Sequence, residues 1–85
     1  MSLQTLLEKK LQSEFLPRHL MVVNESHLHK GHAGDDGSGE SHFFIEISAE
    51  ALDKKPRIQA HRLIHKVLEE DLSHIHALRI NVKRV

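Results

Sequence analysis

The chain of 85 residues has no cysteine, no tryptophan and no tyrosine, and its only aromatic residues are three phenylalanines. Lacking a thiol, it forms no disulfide, thiolate metal site or cysteine nucleophile, so any iron–sulfur chemistry takes its thiolates from a partner. Charge of one sign is missing too: Lys plus Arg and Asp plus Glu number 12 each, for a formal net charge of zero. Phosphate neutralisation supplies most of the affinity of a dedicated nucleic-acid binder, and this chain lacks the basic excess that requires. Basic residues interleaved with aromatics are absent as well. No apolar run approaches the ~20 residues of a membrane span, so no membrane partner is expected. Met1-Ser2-Leu3-Gln4-Thr5 has neither a cationic start nor an apolar signal core, which makes the cytosol the expected location.

A chain this short is expected to form one domain over residues 1–85, monomeric when free, with a modest core and no deeply enclosed cleft. What it has in quantity is histidine, nine residues. Imidazole titrates near neutrality and is the commonest metal ligand among side chains. For most of the nine an ordinary surface role is expected, and the informative ones are those whose position resists it.

Leu3, Leu6, Leu7, Leu11 and Phe15 recur at helical steps with polar residues between them, an amphipathic helix that Pro17 ends. Leu20-Met21-Val22-Val23 reads as a strand. All four glycines then fall between Gly31 and Gly39, inside a long polar loop over 24–41 that also carries His27, His29 and His32. Long loops in small domains are uncommon and often functional. At its far end, residues 42–48 alternate Phe43, Ile45 and Ile47 with Phe44, Glu46 and Ser48, a second strand forming an antiparallel hairpin with the first.

A single helical turn is expected near Leu52. A longer helix follows Pro56, a residue suited to a first helical position, with Ala60, Leu63, Ile64, Val67, Leu68 and Leu72 on its buried side. A last strand is expected over 75–82, with His76 in phase with Leu78, Ile80 and Val82. The fold class is therefore α+β, in the order α-β-β-α-α-β, with helices packed on one face of a three-stranded sheet.

Three segments carry a resemblance beyond periodicity: Asn24-Glu25-Ser26-His27-Leu28-His29, Gly39-Glu40-Ser41-His42-Phe43, and His61-Arg62-Leu63 followed by Leu68-Glu69-Glu70 and Ile75-His76-Ala77-Leu78. In this order and spacing they resemble the BolA-like family over essentially the whole chain. The resemblance implies a K-homology-like fold of the second type. It implies two activities: pairing with a monothiol glutaredoxin to share a [2Fe–2S] cluster, and DNA binding with transcriptional regulation. For the first, it implies a ligand in the hairpin loop and a histidine at the start of the last strand. The latter maps onto His76; the former fits His29 in the S-x-x-H position or His42 in the S-H-F position.

A cluster held by thiolates on one side and imidazole on the other resembles the His-for-Cys exchange of Rieske centres, which raises the reduction potential. Each histidine also has a plainer reading. His76 alternates with apolar residues, as a half-buried core histidine would. His61 reads as a helix–loop contact, and His19, His65 and His74 as surface residues. His27-x-His29-x-x-His32 has the spacing of an adventitious site for zinc, nickel or copper.

For DNA, the candidates are Lys54, Lys55, Arg57, Arg62 and Lys66 around the long helix, which also carries Glu69, Glu70 and Asp71 like any solvated face. Gly31-His32-Ala33-Gly34 spells the G-x-x-G of K-homology domains but lies in the hairpin rather than between two helices. Enzymatic readings fare worst. Ser26 and Ser41 lie near histidines without the glycines of a nucleophile elbow. The reading favours a non-enzymatic adaptor, with no cofactor bound alone, over a DNA-binding regulator.

Overall fold

Ser2 opens the first helix, α1 (Leu3–Phe15), by accepting the Thr5 N–H on its hydroxyl at 3.1 Å, which satisfies one of the donors a helix start leaves unpaired. Leu7, Leu11 and Phe15, four residues apart, are its buried stripe. Leu16 closes it in the left-handed region at φ 46°, donating its N–H to the Gln12 carbonyl, and Pro17 prevents continuation. The computed structural model describes residues 2–26 and 41–84. The loop histidines His27, His29 and His32, and all four glycines, lie outside the described residues.

The sheet has the order β1 (His19–Asn24), β2 (His42–Ser48), β3 (Ala77–Val82). β1 and β2 pair antiparallel, as expected; β2 and β3 pair parallel. A parallel pair needs a long crossover, supplied here by α2 (Glu50–Asp53), α3 (Arg57–Val67) and α4 (Glu69–Leu72). The register stacks Leu20, Ile47 and Val82 in one row, then Val22, Ile45 and Ile80, then Asn24, Phe43 and Leu78. Phe43, Ile45 and Ile47 are almost wholly buried and join Leu7, Leu11, Leu52, Ala60, Ile64 and Leu68 in one core.

Two expectations need correcting. The long helix does not run unbroken to Leu72 but breaks at Leu68 and restarts as α4. Glu69, Glu70 and Asp71 then occupy the first turn of the new helix, where acidic residues suit the positive end of the dipole. Asp71 is not part of a solvated face: it is buried and accepts from Lys10 Nζ at 2.7 Å, tying α4 to α1. The last strand begins at Ala77 rather than Ile75, because His74 N–H and Ile75 N–H turn back onto the Asp71 and Leu72 carbonyls.

Two carboxylates tie the remaining parts together. Asp53 of α2 accepts from Arg18 Nη2 at 2.6 Å, and the same guanidinium nitrogen reaches Ser48 Oγ. Glu46, on β2, accepts from Asn81 Nδ2 at 3.1 Å and His19 Nε2 at 3.0 Å, with Lys83 Nζ at 3.6 Å. These bonds hold the Glu46 carboxyl below the usual range, Asn81 contributing most, and Arg18 does the same for Asp53. A carboxyl whose folded pKa is depressed contributes its full stability above its unfolded value and loses it as pH falls through the folded one. Urea midpoints should therefore fall below about pH 4.5, and more gradually in Glu46→Gln than in the parent chain. Equal slopes in both would dissociate Glu46 from the acid transition.

Candidate metal-ligating site

His42 opens β2 and His76 immediately precedes β3. Because these strands run parallel with His42 opposite Ala77, the two imidazoles come side by side, ring centroids 5.3 Å apart and planes tilted by 50°. His42 is 5% exposed, whereas His76 is exposed to solvent. The half-buried core reading of His76 is thus corrected: the turn after α4 carries it ahead of the alternating strand and out of the apolar row.

Ser41, fully buried, holds the pair together. Its carbonyl accepts the His76 N–H at 2.7 Å and the Ala77 N–H at 3.2 Å. Its hydroxyl lies 2.7 Å from His42 Nδ1, which fixes the ring's orientation much as outer hydrogen-bond partners orient metal-bound imidazoles. Ser26 in turn holds Ser41: its hydroxyl accepts the Ser41 N–H at 2.9 Å and the His42 N–H at 3.1 Å. The Asn24 side chain accepts the Ser26 N–H at 2.9 Å, the local bond that asparagine favours in turns. Glu25 completes the root, donating its N–H to the His42 carbonyl at 2.8 Å. Its carboxylate takes both Arg79 Nε (3.0 Å) and Arg79 Nη2 (2.7 Å). That guanidinium lies 4.5 Å from the centre of the Phe44 ring.

The geometry joins two of the three expected ligands, His42 and His76; His29 falls outside the described residues. Among the described residues, no set of three or more His, Cys, Asp or Glu side chains gathers to hold a metal. Two imidazoles are half of a tetrahedral donor set, so the donors placed by the described residues fit a metal or cluster that takes further ligands from outside them. The Ser41–His42 pair has the spacing of a nucleophile and base, yet a fully buried hydroxyl meets no substrate. Sequence reasoning quoted Ser26, Ser41 and Glu25 inside the resembling segments without a structural role, and it passed over Arg79. The signal for the serines was their recurrence in S-x-x-H and S-H-F.

Of the other histidines, His65 and His74 are exposed, as expected, and His19 is exposed while bonded to Glu46. His61 is half-buried on α3, and its imidazole is pushed below the ordinary range, by burial first and then by Arg57 and His65. Of the basic candidates, Arg57, Arg62 and Lys66 line one groove along α3 with His61, His65 and the carboxylate of Glu69. Lys54 and Lys55 lie apart from it, in the turn between α2 and α3.

A three-stranded sheet with one antiparallel and one parallel pairing, covered by helices on one face, places the chain among small α+β proteins of the K-homology-like type. The family model described as BolA-like protein matches residues 11–84, and the chain belongs to this family. It is 40% identical over 83 residues to the DNA-binding transcriptional regulator BolA of Haemophilus influenzae, spanning 96% of this chain and 77% of that protein. Its fold matches BolA1 from Arabidopsis thaliana with a TM-score of 0.86 at 32% identity, over 99% of this chain and 93% of that one. The BolA domain of SufE1 from the same plant matches equally well, with a TM-score of 0.86, 33% identity and the same coverage.

Proposed function

We propose that the protein is a non-enzymatic adaptor that pairs with a monothiol glutaredoxin to share or transfer a [2Fe–2S] cluster in iron–sulfur trafficking or iron signalling. The observation that carries this reading is the His42–His76 pair, side by side at 5.3 Å and braced by Ser41 and Ser26. His76 is the solvent-facing ligand, and His42 or His29 is the second. The cluster is cargo; with no cysteine in the chain, its thiolates come from the partner and its glutathione. Imidazole ligation on one side raises the potential of such a cluster relative to all-thiolate ligation. The test is visible circular dichroism of a cluster-loaded monothiol glutaredoxin titrated with this protein. A new cluster spectrum saturating near one equivalent is expected. A spectrum unchanged by excess protein would remove the ligand role.

A second reading, a DNA-contacting regulator, is favoured by one observation. Arg57, Arg62 and Lys66 share a single groove on α3, and none forms an ion pair with a described carboxylate. A relative bearing the name DNA-binding transcriptional regulator accords with it.

A further inference from the structure

Between the first turn of α3 and the end of β3 lies a small cleft lined by Arg57, His61, Asn81, Val82 and Arg84. It is well separated in character from the His42–His76 pair, since its polar groups are chiefly cationic or hydrogen-bond donors. Arg57 and His61 stand one helical turn apart on the same face of α3, and Arg84 approaches from the chain that leaves β3. Among the described residues, no carboxylate lines the cleft. The acids nearby are already engaged: Asp53 carries Arg18 on its side chain and accepts Arg84 Nη1 on its carbonyl at 3.1 Å, while Glu46 holds Asn81, His19 and Lys83.

Two further features favour negative charge here. Among the described residues, α3 starts from Pro56 with no side-chain cap, so no capping side chain offsets the positive end of its dipole. Burial first, and then the neighbouring Arg57 and His65, lower the pKa of His61, the direction in which nearby cations act on an imidazole.

We propose that this cleft binds a phosphate group, with the Arg57 and Arg84 guanidinium groups as its principal donors and His61 completing the set. Guanidinium forks match the oxygens of phosphate and form short, charge-assisted bonds with it. The phosphate has two sources, a free phosphate ion or the diester backbone of a nucleic acid. The backbone source rests on the second reading above; the free ion does not, and neither depends on the cluster.

The experiment is NMR of the full chain, following the histidine ring signals while inorganic phosphate is added at constant ionic strength. A saturable shift confined to His61 is expected, with its pKa rising, because a bound anion favours imidazolium. Arg57→Gln and Arg84→Gln should each weaken binding about tenfold or more, the effect of losing one charge-assisted bond. Arg62→Gln, in the neighbouring groove but not the cleft, should leave it unchanged. Arg57 is exposed and forms no ion pair with a described carboxylate, so its replacement spares the fold even if that of Arg84 does not. A short DNA duplex forms the second arm. If it displaces phosphate from His61 and Arg84→Gln, which changes the cleft and not the groove, weakens it, the site takes backbone phosphates. If phosphate alone moves His61, the site takes the free ion and the DNA reading loses this contact. Unsaturable shifts shared with His65 and His74, or full binding by Arg57→Gln, would overturn the proposal.

Discussion

Replacing His76 with alanine should abolish the change that this protein produces in the visible circular dichroism of a cluster-loaded glutaredoxin, with stability altered by no more than about 0.5 kcal/mol. The asymmetry follows from where the residue sits. The residue is exposed and belongs to no part of the hydrophobic core cluster, its ring contact is with His42, and its main-chain N–H bond to the Ser41 carbonyl survives the substitution. Only the solvent-facing imidazole is lost. His42→Ala should differ in kind: its ring is buried against Ser41, so the variant also leaves a buried hydroxyl without its partner and should cost about 1–3 kcal/mol. His29→Ala separates the two loop candidates. If His29→Ala removes the spectral change while His42→Ala, still folded, keeps it, then His42 is a brace and His29 the ligand. A His76→Ala protein that still altered the cluster spectrum would remove the strand-end ligand altogether.

Local periodicity in the sequence announced α1, β2 and the buried side of α3, because each buries one stripe and the intervals of 3.6 and 2 residues leave a visible trace. The three-stranded α+β arrangement was legible too, helped by the resembling segments. The adjacency of His42 and His76 was not written in any local pattern. It arises because β2 and β3 pair in parallel with His42 opposite Ala77, and a register between distant strands leaves no mark on either strand alone. The break at Leu68 was hidden for a related reason. The apolar spacing runs on through Leu72, while the decisive partner of buried Asp71, Lys10, belongs to the first helix. The Glu25–Arg79 pair likewise joins residues 54 positions apart. Small hydroxyls are the hardest to read, since one serine in a polar loop resembles any other until its neighbours are known.

Ser26 is the hydroxyl on which that difficulty has the largest consequence. Its oxygen is the acceptor for two amides, Ser41 N–H at 2.9 Å and His42 N–H at 3.1 Å, and the residue is 4% exposed. Ser26→Ala removes both bonds and leaves two buried donors to find water or remain unpaired. Each unsatisfied buried donor costs about 1–3 kcal/mol, so a loss of about 2–4 kcal/mol is expected in urea unfolding, a large share of the stability of so small a domain. The change should reach the site as well. With Ser41 no longer held, its carbonyl loses its fixed placement against His76 N–H, and its hydroxyl against His42 Nδ1. Amide exchange at Ser41, His42 and His76 should therefore accelerate more than exchange at Ile45, in the middle of β2. The glutaredoxin titration should require more protein to reach the same spectrum. Ser26→Thr keeps the acceptor oxygen and should recover most of both effects. A Ser26→Ala protein with parental stability and parental exchange at Ser41 and His42 would mean that water replaces the hydroxyl without cost, and that the loop root is braced from elsewhere.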